Sequence, residues 1–163
     1  MTVKIDKGYR PGLIGTVTRH FSQHFHSHCN FGAAFEVKVA TEMAAFVDRL
    51  GAPNLACWHA HRDGHILGAV FIDGDNLGEG KGHLRWFILD PKARGLGIGD
   101  KLMTRAMAFC DERAFPETHL WTIKGTDAAR KLYERYGFEL AEEYDGDQWG
   151  SVATEQRFVR KRR

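Results

Sequence analysis

Residues 89–102 read LDPKARGLGIGDKL, with glycines at the alternate positions Gly95, Gly97 and Gly99. The stretch joins an apolar run at residues 83–89 (HLRWFIL) to a segment in which Ile98, Leu102, Ala106 and Phe109 recur at helical spacing. It reads as a strand ended by Asp90-Pro91, a turn, and a helix that starts around Gly97 to Gly99 and ends near Arg113. Alternating glycines strip side chains from the turn and let backbone N–H groups approach something closely. The first N–H groups of a helix lack partners within it, and its dipole adds partial positive charge there. A bare terminus of this kind suits a phosphate, and Arg94 stands at its mouth with a formal charge and a planar fork of donors. The pattern G-x-x-x-x-G-K-[ST] fails because Asp100 stands where its second glycine belongs, and at Gly80-Lys81 because glycine follows the lysine. The dinucleotide fingerprint G-x-G-x-x-G fails too, since Asp100 and Lys101 follow Gly99.

Around that stretch, 163 residues suffice for one domain with a sizeable core, and we expect a single domain over residues 1–163. A composition of 43% apolar and 27% charged residues is that of a folded globular chain. A net charge of +2 gives no argument for nucleic acid, and the basic end at residues 160–163 is expected to be a frayed, solvated tail. No apolar run approaches a membrane span, and the start lacks the apolar segment of a signal peptide. Cys29, Cys57 and Cys110 lack zinc-type pairing, so reduced thiols in a cytoplasm are expected.

The remaining pattern is mixed. A first strand is expected in residues 2–10, a helix from Leu13 to about Cys29 (Leu13, Val17, Phe21, Phe25), and a second from about Ala33 to Leu50 (Phe35, Val39, Met43, Phe46, Leu50). Residues 55–61 and 65–73 form a hairpin across Arg62-Asp63-Gly64. Residues 118–123 are a strand, 126–137 a helix capped by Thr126 or Asp127 and closed by Gly137, and 138–144 and 154–159 final strands. The fold class is an α/β domain with a mixed sheet.

The series Arg94-Gly95-Leu96-Gly97-Ile98-Gly99, after a strand and before a helix, resembles the pyrophosphate loop [QR]-x-x-G-x-[GA] of the GNAT superfamily of N-acetyltransferases. Downstream, residues 126–138 (TDAARKLYERYGF) are similar to the family segment N-x-x-A-x-x-[LF]-Y-x-x-x-G-F, with Ala129, Leu132, Tyr133, Gly137 and Phe138 matching and Thr126 replacing the usual Asn. The resemblance runs from about Leu55 to Val159. It extends to the bacterial-like GNAT domains also found fused to MarR-type regulators, through Arg10-Pro11-Gly12 and Leu120-Trp121.

The resemblance implies an acyltransferase fold in which two adjacent strands, residues 83–89 and 118–123, splay apart within a sheet flanked by helices. It implies acetyl-coenzyme A as cosubstrate, no metal, and often a homodimer. Backbone N–H groups of Leu96–Asp100, with Arg94 and Gly95, would cradle the pyrophosphate. Phe87, Ile88 and Leu89 would pair with the pantetheine amides like an added strand, with Thr126 and Ala129 beside them. A backbone N–H near Leu89 would stabilise the developing oxyanion. Tyr133 stands at the position of the general acid, Tyr136 being a lesser substitute, and His83 at about that of the base.

Strand alternation groups Leu84, Trp86 and Ile88 on one face and His83, Arg85 and Phe87 on the other; Arg85 is a candidate for holding a substrate carboxylate. His20, His24, His26 and His28 form a cluster that reads as a metal site, a wall of the acceptor pocket with His24 on the substrate, or a solvated face. His59, His61 and His65 read as surface residues. Trp86, Trp121 and Trp149 read as core or pocket. Balanced, scattered charge ranks small amines above protein tails as acceptors. A non-catalytic acyl-coenzyme A sensor and a protein N-acetyltransferase are the alternatives.

Overall fold

The computed structural model describes residues 2–78, 80–125 and 129–162. Its elements are β1 (Lys4–Lys7), α1 (Leu13–Cys29), α2 (Ala33–Asp48), β2 (Leu55–Arg62), β3 (His65–Asp73), β4 (Gly82–Leu89), α3 (Ile98–Glu112), β5 (Glu117–Ile123), α4 (Arg130–Arg135), β6 (Phe138–Gly146) and β7 (Ala153–Lys161). A 3-10 turn at Pro91–Ala93 links β4 to the glycine turn. One sheet of seven strands runs in the order β1-β2-β3-β4-β5-β7-β6. Among the described residues only the β4–β5 pair is parallel, and it is in register only at Gly82–Thr118 and His83–His119. Beyond those residues the two strands splay.

Local chemistry accounts for the boundaries. Asp63 and Gly64 take positive φ, 52° and 78°, as a tight hairpin turn that follows the sheet's twist requires. Asn30 ends α1 in the left-handed region, its N–H bonding the His26 carbonyl at 3.0 Å. Gly137, at φ 94°, follows α4, while the expected caps Thr126 and Asp127 lie outside the described residues.

Helix α3 packs on one face of the sheet, with Ile98, Leu102, Met103, Ala106 and Phe109 against Trp58, Val70 and Leu84. Helices α1 and α2 cover the other, where Leu13, Val17, Val39, Met43 and Phe46 meet Cys57, Phe71 and Trp86. Phe46 is fully buried, with its ring 5.5 Å from Phe71 and 5.8 Å from Trp86. Phe46→Ala is expected to cost about 3–5 kcal/mol, read as a shifted midpoint with unchanged slope in urea unfolding. Cys57 and Cys110 are buried free thiols, and burial pushes them up to about 12 and about 11, so they serve as packing groups.

Three expectations are corrected. The basic end is not frayed at Arg160–Arg162. Arg160 and Lys161 belong to β7, Arg160 bonds Asp111 at 3.0 and 3.2 Å and the Tyr136 carbonyl at 3.0 Å, and the Arg162 N–H reaches Pro116. His59 is not on the surface: it is 2% exposed, because β1 and the chain after it cover this part of β2. The alternation along β4 is broken as well. Ala69 faces Ile88 and Phe71 faces Arg85, so Val70 alone opposes both Trp86 and Phe87 in a β-bulge, with Trp86 at φ 46°. Leu84 therefore shares its face with Phe87 and Leu89, while Trp86 and Ile88 lie on the α1–α2 face.

Candidate active site

The glycine turn has two kinds of glycine. Gly95 and Gly97 have φ of 81° and 73°, with open space where a Cβ would be. At these two positions an L side chain would be strained, and any side chain would project into the open region. Gly99 is needed for packing instead: a Cβ there would lie 3.1 Å from Leu132 and 3.5 Å from Phe87 and Leu89. Gly97 is the N-cap of α3, and the ladder begins with the Lys101 N–H on its carbonyl at 3.2 Å. The N–H groups of Ile98, Gly99 and Asp100 thus belong to the first turn, which has no acceptor of its own. Asp100 turns its carboxylate to Arg135 at 2.9 and 3.0 Å, and Tyr136 donates to it and to its carbonyl, which ties α3 to α4. The Tyr136 hydroxyl is thereby engaged on the helix surface.

The splay of β4 from β5 opens a cavity of about 590 Å³. The bulge at Trp86–Phe87 bends β4 within the separated stretch beyond His83, since an extra residue re-aims the strand. Beside the glycine turn, Arg94, Gly95, Phe87, Leu89, Ala129, Leu132 and Tyr133 line the cavity. Tyr133 is 8% exposed, with its ring 5.9 Å from Phe87 and 6.1 Å from Phe138, so two aromatic neighbours fix its orientation. The rest of the lining comes from His24, Phe21 and Phe25 of α1, Phe35, Lys38 and Glu42 of α2, and Tyr144, Gln148, Trp149 and Glu155 of the last hairpin. Trp86, Trp121 and Trp149 all line the cavity.

The expected site residues are largely brought together. His24, His83, Arg85, Phe87, Ile88, Leu89, Arg94, Gly95, Ala129 and Tyr133 share this one cavity. Leu96 to Asp100 form the turn and helix start beside it, and Thr126 lies outside the described residues. His24 and His28 lie side by side on α1 with ring centres 4.3 Å apart and planes tilted by 33°, and burial, followed by His28 and Arg94, lowers the His24 pKa. Arg85 is held by Glu42 at 2.6 Å and stacks on Trp86 at 4.1 Å. Glu42 and Glu155 were not singled out in the sequence. Glu155 is 2% exposed on β7, bonded to Gln148, and a Cβ on Gly146 would fall on its carboxylate. Two adjacent polar residues, Glu155 and Gln156, in the middle of a buried strand were the available signal.

Burial, then the charge of Arg85, pushes the His83 pKa down to about 3, and its Nδ1 meets the Asn76 amide at 3.0 Å. It is neutral at ordinary pH and a weak base. Its folded pKa lies below the unfolded one near 6.5, so the unfolded chain binds the extra proton between those values. Its contribution is complete above pH 6.5 and is lost as pH falls toward 3. Removing it in His83→Gln is expected to flatten the acid side of the stability curve by up to about 1.4 kcal/mol per pH unit, measured by urea unfolding from pH 4 to 7.

The profile of the acetyltransferase (GNAT) family matches residues 16–138. The chain belongs to that family. No curated protein gives a significant sequence match. Among solved structures, this acetyltransferase is similar to the PaiA N-acetyltransferase of Thermoplasma acidophilum in complex with coenzyme A, at TM-score 0.73 and 16% identity over 99% of this chain and 100% of that one. It is also similar to yncA of Salmonella typhimurium, crystallised with its cofactor acetyl-CoA, at 0.76 and 12% over 99% and 94%. A third is the ribosomal-protein-alanine N-acetyltransferase of Brucella melitensis, at 0.74 and 15% over 99% and 100%. The seven-stranded mixed sheet with four helices is the GNAT fold, and membership makes the chain an acyltransferase that uses acetyl-coenzyme A. Among the described residues no helix is long and apolar enough to cross a membrane.

Proposed function

We propose that this GNAT acetyltransferase moves an acetyl group from acetyl-coenzyme A to a primary amine of a small molecule, an amino acid or a related amine, by direct attack. One observation supports the acceptor class: an aromatic bridge joins the last hairpin to α2 across the cavity lining. Trp149, between β6 and β7, reaches α2, its ring 5.2 Å from Phe35 and under the Lys38 ammonium at 5.5 Å. A long polypeptide needs an unobstructed groove; an aromatic-lined cavity bridged by Trp149 suits a compact amine.

The donor side fits the glycine turn. Backbone N–H groups of Leu96–Asp100 and the Arg94 guanidinium hold the pyrophosphate. Phe87, Ile88 and Leu89 present their backbone to the pantetheine arm, with Ala129 opposite. Thr126, at the motif's usual Asn position, lies outside the described residues. An N–H near Leu89 takes up charge developing on the carbonyl oxygen. The acceptor nitrogen bonds to the acetyl carbon, the carbon–sulfur bond breaks, and Tyr133 gives its hydroxyl proton to the sulfur and recovers one from water.

On the acceptor side, no ion pair to the buried Glu155 is formed among the described residues. It is ready for the ammonium form of the acceptor. Arg85 and Lys38 can meet a carboxylate, and His24 walls the site. His83 orients the acceptor and, as a weak base, leaves removal of the amine proton to water.

A screen of amino acids, small amines and short peptides, read by release of the coenzyme A thiol, tests this. Small amines are expected to turn over faster than peptides. Glu155→Gln is expected to raise the acceptor KM roughly tenfold or more, with the KM for acetyl-coenzyme A unchanged. Preference for peptides would move the reading to protein acetylation; donor binding without turnover on any amine would move it to a sensor.

A further inference from the structure

Away from the cavity, Asp6, His59 and His61 place three ligand-type atoms within 4.8 Å of one another. The arrangement follows from strand geometry. Residues i and i+2 of a strand share a face, so His59 and His61 project together from β2, and Asp6 of the edge strand β1 stands opposite His59. Asp6 Oδ2 lies 2.6 Å from His61 Nε2, and the two imidazole centres are 5.4 Å apart.

His59 supplies a second, independent observation. Its ring is 2% exposed, its Nδ1 lies 3.1 Å from the Gly8 carbonyl, and its Nε2 is buried without a hydrogen-bond partner. A carbonyl only accepts, so Nδ1 carries the hydrogen and Nε2 keeps a bare lone pair. A buried acceptor left unmet costs about 1–3 kcal/mol. A ring fixed by a carbonyl on one nitrogen, with the other free, is also how protein imidazoles are set to bind metal.

We infer that Asp6, His59 and His61 form a binding site for a divalent transition-metal ion of the zinc class, which clips the edge strand β1 to β2. Two imidazoles and a carboxylate are a borderline donor set that suits zinc rather than calcium or magnesium. A tetrahedral ion with bonds of about 2.1 Å needs ligand atoms about 3.4 Å apart, reached by side-chain rotation of the half-buried His61 and the exposed Asp6. Water completes the coordination. None of the three residues lines the cavity, so the ion takes no part in acetyl transfer. It holds the chain from β1 through Gly8 to the start of α1.

Cobalt(II), whose tetrahedral complexes absorb visible light, is the probe, with protein carrying no histidine tag. Wild type is expected to bind one equivalent with tetrahedral absorption, and zinc to raise its melting temperature. Asp6→Asn alters an exposed position and His61→Ala a partly exposed one at the sheet edge, and both are expected to weaken cobalt binding at least about tenfold and abolish the zinc-induced shift. His28→Ala, which removes the histidine pair on α1, is expected to change neither. No tetrahedral cobalt signal in wild type, or a signal that survives both β1–β2 variants or is lost in His28→Ala, overturns the site.

Discussion

Tyr133→Phe is expected to lower kcat by about 10²–10⁴-fold while acetyl-coenzyme A binds as before. The substitution removes one oxygen and keeps the ring that packs between Phe87 and Phe138, so the helix and cavity wall stay in place. What is lost is the proton for the departing sulfur, which water then has to supply from a less favourable position. Steady-state rates with donor affinity measured on the same protein separate the two effects. Tyr136→Phe is the natural control. Its hydroxyl is bonded to Asp100 and Thr104, so that variant is expected to lose some stability and keep its turnover. If Tyr133→Phe retains full kcat, Tyr133 packs the wall and protonation comes from elsewhere.

Gly97→Glu is expected to weaken acetyl-coenzyme A binding by at least about 100-fold, or about 2.7 kcal/mol. Three effects add. An L residue at φ 73° costs roughly 1–2 kcal/mol. The side chain projects into the space left open beside the turn. Its carboxylate also repels a diphosphate at the very terminus that would attract one. Gly97→Ala keeps the first effect without the charge, so its loss is expected to be smaller. The gap between the two variants measured by calorimetry reports how near the diphosphate lies. Equal, small losses would place the diphosphate away from this turn.

How much could be read beforehand follows from how local each signal is. The glycine turn, the stripe of α3 and the Asp63-Gly64 hairpin each depend on a few consecutive residues, and the structure has them where the pattern puts them. The stripe of α1 was found, but it has two roles: Leu13 and Val17 are core, while Phe21 and Phe25 line the cavity. The bulge at Trp86 was not legible, because nothing in a tryptophan signals a positive φ, and one extra residue inverted the expected faces of β4. His59 looked like a hairpin-flank histidine because its cover comes from β1, some fifty residues earlier. Glu42 and Glu155 come to the same cavity only once α2 and β7 are both in place around it. Long-range pairing placed them, and no motif spans that distance.

We propose that the turn from Arg94 to Asp100 and the cleft between β4 and β5 together hold acetyl-coenzyme A. Isothermal titration of acetyl-coenzyme A into the wild-type protein tests it most directly. Saturable binding of one molecule per chain is expected, accompanied by a higher melting temperature. No heat of binding at two well-separated temperatures, with no thermal stabilisation at saturating donor, would contradict it.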